Sequence, residues 1–268
     1  MKSSTQFSRP LDRRQALRHI AVGAAGLIGA CKLGSAPESP EGSDGRLAAR
    51  PGTQTAFPPS GASPLLLDPL RDGRLYVPPV LTDGSPAPLV VALHGASGSG
   101  QSMLNVLQPF ANQFGFVLLC PDSRGSTWDA IRNLYSDDVR FIDSALAQTF
   151  ERCNIDPQRI GIAGFSDGAS YALGLGRLNG DLFRRIVAFS PGMLLTAIDT
   201  FKPPVYITHG YRDGVLPMDV TSVPIVAELA ARGYDVTFRT FDGGHWIPAA
   251  YAPEAFHWLI TGELDEPS

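Results

Sequence analysis

Ser166 of this chain has a glycine two residues away on each side, in Gly164-Phe165-Ser166-Asp167-Gly168. The residues before it, Arg159-Ile160-Gly161-Ile162-Ala163, read as a short apolar strand, and Ala169-Ser170 onward reads as a small-residue helix. A strand, a sharp turn and a helix form the context in which Gly-x-Ser-x-Gly holds a hydroxyl exposed above a sheet. The free N–H groups at the helix start favour negative charge there. The chemistry this suggests is acyl transfer. A serine alone is a weak nucleophile, so acyl transfer also demands a base, a carboxylate to orient it, and donors for the developing oxyanion.

Five histidines are available as the base. His19 falls near the N-terminus, and His257 lies within a predicted helix among Phe256, Trp258 and Leu259. His94 and His209 end predicted strands, but each precedes the Ser166 turn (the elbow) or the acid's loop. His245, in Phe241-Asp242-Gly243-Gly244-His245-Trp246, follows the last predicted strand, where two glycines let a loop return over the sheet. Asp213 lies between serine and histidine, just past a strand end in His209-Gly210-Tyr211-Arg212-Asp213-Gly214. Asp219 is farther along and Asp167 belongs to the elbow turn. Ser166, Asp213 and His245 therefore follow the chain order Ser…Asp…His. The backbone N–H groups of Asp167 and Ala96 are the expected oxyanion donors, with His94 orienting the Ala96 loop.

Phe165, Trp128, Tyr211, Trp246 and Met193 are candidates to line an apolar substrate site, and Arg124 and Arg212 candidates to meet an anionic group. Gly95-x-x-Gly98-x-Gly100 has neither the ending of a P-loop nor the spacing of a dinucleotide fingerprint. No His, Asp and Cys cluster has ligand spacing, so neither metal nor cofactor is expected. A net charge of −4 without a long basic block speaks against nucleic acid as a partner.

These residues must be positioned by strands alternating with helices. Strands are predicted at 74–79 (an edge strand), 88–95, 116–120, 159–165, 185–190, 204–210 and 235–241, with helices after Gly100, from Ser136 as N-cap, after Ser166, over 222–232 and over 253–260. That alternation implies a mostly parallel sheet with helices on both faces. Ligands in such sheets bind beyond the carboxyl ends of the strands. Only a short connection separates Ser190 from Pro204, which leaves no room for a large lid domain.

Residues 1–31 read as an export signal. Lys2, Arg9, Arg13, Arg14 and Arg18 make a positive region, and Ile20–Ala30 is too short and weakly apolar to span a bilayer. Asp12-Arg13-Arg14-Gln15-Ala16-Leu17-Arg18 resembles a twin-arginine motif, and Ile28-Gly29-Ala30-Cys31 a lipobox with Cys31 lipidated. Residues 32–64, rich in Pro, Ser, Gly and Ala, are expected to be a disordered tether, and 65–268 a single catalytic domain. The protein is thus expected in the cell envelope, touching a membrane only through its lipid. Cys120 and Cys153, at opposite ends of predicted parallel strands, are expected to be free.

The motifs Leu93-His94-Gly95-Ala96, Pro121–Asp129, Gly164–Gly168, His209-Gly210 with Asp213 and Pro217, and Gly243-Gly244-His245 together resemble the α/β-hydrolase superfamily over about Leu75–Ile260. Within it they are similar to compact bacterial esterases of the phospholipase/carboxylesterase and polyhydroxybutyrate-depolymerase-like kind. The resemblance implies an α/β-hydrolase fold with Ser166 as nucleophile, Asp213 as acid and His245 as base, acting on a small or polymeric ester. Dienelactone hydrolases, a related branch, usually carry cysteine at the elbow, and the serine here argues against that chemistry. Two rival readings are a serine peptidase on the same fold and a non-catalytic envelope lipoprotein that uses the scaffold for binding.

Overall fold

The computed structural model describes residues 43–264, except 55, 82, 83 and 133. The expected export signal and Cys31 lie outside the described residues. The chain forms β1 (Gly61–Pro64), β2 (Gly73–Val77), β3 (Ala87–Leu93), α1 (Gly100–Phe114), β4 (Val117–Pro121), α2 (Asp129–Arg132), α3 (Asp137–Arg152) and β5 (Ile155–Phe165). It continues through α4 (Asp167–Leu178), β6 (Arg185–Phe189), β7 (Val205–Gly210), a 3-10 turn (Met218–Val220), α5 (Ser222–Ala231), β8 (Val236–Phe241) and α6 (Ala252–Thr261). The eight strands form one sheet in the order β1-β2-β4-β3-β5-β6-β7-β8. β1 and β2 are antiparallel to their neighbours, and all other pairs are parallel. This is an α/β-hydrolase fold.

The strand alternation decides which residues meet which helices. Leu89, Val91 and Leu93 of β3 pack in one cluster with Ile142 and Leu146 of α3, Leu173 and Leu175 of α4, and Leu229 of α5. Val90 and Ala92 point the other way, into a cluster with Leu104 and Leu107 of α1 and Phe256 and Leu259 of α6. Both faces are covered, so every residue of β3 is buried. This is why the strand reads as an unbroken apolar run rather than as an alternating one. Among the described residues the 190–204 connection carries no helix or strand. It is tied down by Arg177 of α4, fully buried, which reaches Asp199 and donates to the Leu195 carbonyl at 3.0 Å.

Two expectations need correction. β2 is not an edge strand, because β1, from the segment expected to be a tether, pairs outside it. From Ser43 on that segment is laid against the domain. Leu47 is buried, its N–H donates to Asn179 Oδ1 at 2.8 Å, and the Ala48 and Ala49 amides both donate to Asp143 Oδ1. These bonds from α3 and the end of α4 replace the apolar periodicity that the segment lacks. Ser136 does occupy the N-cap position of α3, but its hydroxyl makes no capping bond. The Asp129 carboxylate does the capping, accepting from the Ser136 and Asp138 amides at 2.8 and 3.0 Å. Cys120 and Cys153 are buried and free, as expected.

Candidate active site

β5, β7 and β8 lie close together in the sheet order, so the loops leaving their carboxyl ends open on the same rim. β5 ends in the elbow. Ser166 has φ 56° and ψ −121°, a left-handed conformation that costs a non-glycine residue roughly 1–3 kcal/mol. Bonds on both sides hold it there. Its N–H donates to the Phe189 carbonyl at 2.9 Å, and its own carbonyl accepts from the Ala169 and Ser170 amides at 3.0 and 3.1 Å to start α4. The flanking glycines are needed for space. A Cβ on Gly164 would lie 2.1 Å from the Gly168 carbonyl oxygen, and one on Gly168 would lie 2.3 Å from that of Leu93.

The three residues singled out by type and order come together. Ser166 Oγ is 2.9 Å from His245 Nε2, and His245 Nδ1 is 2.6 Å from Asp213 Oδ2. Facing a carboxylate, Nδ1 carries the proton, which leaves Nε2 to accept the serine hydroxyl proton. The imidazole also lies against the Phe165 ring, with centroids 4.8 Å apart. The loops carrying acid and base are bonded to each other: Tyr211 N–H donates to the Phe241 carbonyl and Arg212 N–H to that of Gly243. Gly210 lets them approach, since a Cβ there would meet the Gly243 carbonyl oxygen at 2.3 Å.

Asp213 is almost fully buried. Burial pushes its carboxyl up, but the Leu216 amide, the His245 imidazole and the Val215 amide together outweigh this and hold it below the usual carboxylate range. A fourth partner is His209, whose Nε2 lies 3.1 Å from Asp213 Oδ2 and 2.8 Å from the Leu216 carbonyl. Both are acceptors, so Nε2 carries the proton, and Nδ1 accepts from the Ser222 hydroxyl at 2.6 Å. Burial lowers the His209 pKa and keeps the ring neutral. Sequence reasoning set His209 aside as a candidate base and missed this role. The signal was its position four residues before the acid at a strand end.

Of the two expected oxyanion donors, Asp167 directly follows Ser166 and Ala96 follows a glycine packed against it. Asp167 is the first residue of α4, where an N–H has no intrahelical acceptor. Ala96 follows Gly95, whose backbone is packed so closely that a Cβ there would be 3.2 Å from Ser166 Cβ. The Ala96 loop is held by Ser97 N–H donating to the Ser126 carbonyl, and by His94. His94 Nε2 accepts from the Ser123 amide at 3.0 Å, and its Nδ1 donates to the Gly95 carbonyl at 2.8 Å. It bridges two loops, as expected of an orienting residue.

A cleft of about 320 Å³ opens beside the Ser166–His245 pair. Of the expected lining residues, Phe165 and Trp246 are on its walls, joined by Ser102, Met103 and Val106 of α1 and by Ile247. Trp128 and Tyr211 do not line it. Trp128 is buried, donates its indole N–H to the His94 carbonyl at 2.8 Å and packs on Tyr171, so it supports the loop from behind. Tyr211 and Met193 are exposed and are not among its walls. Arg124 stacks over the Phe141 ring and pairs with Asp68, while Arg212 pairs with Asp242.

Comparisons with known proteins agree with this architecture. The chain is 30% identical over 156 residues, 54% of its length, to the bifunctional acetylxylan esterase/xylanase XynS20E of Neocallimastix patriciarum, but spans only 22% of that relative. It superposes on esterase PE8 with a TM-score of 0.57, 22% identity and coverage of 70% of this chain and 97% of the other. On FphF, a fluorophosphonate-binding serine hydrolase of Staphylococcus aureus, the TM-score is 0.59, with 14% identity and 75% and 99% coverage. At these identities the two structures speak for the fold. The dienelactone hydrolase family model matches residues 75–246, from β2 through the His245 loop and so across every element that carries the site. The chain therefore belongs to the dienelactone hydrolase family.

Proposed function

We propose that this chain is a serine carboxylic ester hydrolase that works through an acyl-enzyme. The observation that carries the reading is the unbroken line of hydrogen bonds from Ser166 Oγ through His245 to Asp213, at 2.9 and 2.6 Å. His245 Nε2 takes the proton from Ser166 as Oγ attacks the ester carbonyl. The developing oxyanion is met by the N–H groups of Asp167 and Ala96. His245 then gives its proton to the leaving alkoxide, and in the second half activates a water that releases the acid and restores Ser166. Asp213 keeps the proton on Nδ1 and stabilises the imidazolium without itself becoming protonated. The esterase names of XynS20E and PE8 support the same class.

The ester reading is tested against the peptidase one by offering the purified protein p-nitrophenyl acyl esters and aminoacyl p-nitroanilides. Turnover of the esters alone is expected. Comparable turnover of the amides overturns it.

We also infer an envelope location, on the basic region, short apolar run and Cys31 of residues 1–31. Acylation of Cys31 would hold the catalytic domain at a membrane surface. Radiolabelled palmitate incorporated by the wild type and not by Cys31→Ala supports this, and equal incorporation by both overturns it.

A further inference from the structure

The cleft beside Ser166 has walls that choose between kinds of ester. Met103, Val106, Phe165, Trp246 and Ile247 supply hydrocarbon and ring surface. The hydroxyl of Ser102 is already spent, donating to the Ser99 carbonyl at 2.7 Å and accepting the Ser99 amide at 3.0 Å in the N-terminal cap of α1. His94 and Gly95 also line the cleft, and both nitrogens of the His94 ring are already engaged, with the Ser123 amide and the Gly95 carbonyl. A sugar ring placed here would bury several hydroxyls without partners, each at a cost. An acetyl group would fill little of about 320 Å³ and leave water against surfaces that cannot bond it.

We propose that this cleft receives an unbranched hydrocarbon chain of the ester, so that the preferred substrates carry roughly four to eight carbons there rather than an acetyl group or a sugar. The proposal rests on Ser166 as the nucleophile. With about 30 Å³ for each water-sized group, the cleft has room for roughly ten such groups, of which the reacting ester takes about three. Each methylene moved from water onto these walls is worth up to about fourfold in kcat/KM.

Two ester series test it: p-nitrophenyl esters from acetate to decanoate, and alkyl acetates from ethyl to octyl followed by acid release. The expected result is a rise of at least tenfold in kcat/KM between the two-carbon member and the six- or eight-carbon member of one series. A rise in the first series places the acyl chain in the cleft, and a rise in the second places the alcohol there. Val106→Trp, at a half-exposed position on the wall, is expected to lower the octanoate-to-acetate ratio at least tenfold. Its melting temperature shows that it folds, and the wild-type profile stands without it. Two-carbon substrates turned over best in both series, or a folded Val106→Trp with an unchanged profile, overturn the proposal while leaving the esterase reading intact. No turnover of any ester overturns both.

Discussion

His209 and His245 share one oxygen of Asp213: the two imidazoles approach Oδ2 at 3.1 and 2.6 Å. His209 is fully buried and linked to the start of α5 through Ser222. It therefore fixes the carboxylate from the side opposite the Val215 and Leu216 amides. His209→Phe keeps a ring of similar shape and removes the donor. A lost hydrogen bond of about 1.4 kcal/mol predicts roughly a tenfold fall in kcat with KM nearly unchanged. A variant that melts lower but turns over normally would assign His209 to packing alone.

The elbow's glycines carry a sharp stability prediction. Gly164→Ala drives a methyl into the Gly168 backbone, whereas Gly214→Ala meets nothing within 4 Å and has no left-handed backbone angle. Gly164→Ala is expected to destabilise by more than about 3 kcal/mol, or to prevent folding. Gly214→Ala is expected to stay within about 0.5 kcal/mol of wild type. Urea titration of the two variants checks this.

The described residues of 43–64 join the folded body through the bonds of Leu47–Ala49, the burial of Leu47 and the pairing of β1. Leu47→Ala removes a side chain that is 3% exposed and is expected to cost about 2–4 kcal/mol. A chain starting at residue 65 also loses β1 and the Asn179 and Asp143 contacts, and should melt lower still. Equal melting temperatures for the full and shortened chains would return the segment to the status of a tether.

Asp138 predicts a pH effect. Burial raises its carboxyl to about 6, against the pull of the Arg124 and Asp129 amides that it accepts at 2.5 and 2.6 Å. A folded pKa above the unfolded one stabilises below the unfolded value, and that contribution is lost as pH rises through the folded one. Wild type should therefore lose ground relative to Asp138→Asn between about pH 4 and 7, by on the order of 2 kcal/mol. Denaturant titrations at those pH values read the difference directly. A constant gap contradicts the assignment.

Much of the site was legible because its signals are local. Ser166 announces itself by two glycines whose necessity is steric, and β3 and β5 by apolar runs that only burial on both faces explains. Chain order then selected Asp213 and His245. What escaped depended on partners distant in sequence. Trp128 looks like a binding aromatic until the His94 carbonyl is found against its indole. The stretch from residue 43 shows no apolar period, and the Leu47, Ala48 and Ala49 amides are taken up by Asn179 and Asp143, about a hundred residues on. Met103 and Val106 were hidden because a helix face toward a cleft and one toward a core share the same spacing.

The most direct test of the central claim is the intact mass of the protein after exposure to a fluorophosphonate. One adduct is predicted on the folded wild type, mapped to Ser166 and absent from Ser166→Ala. A folded wild type that takes no adduct, or a Ser166→Ala variant that still takes one, would contradict Ser166 as the nucleophile.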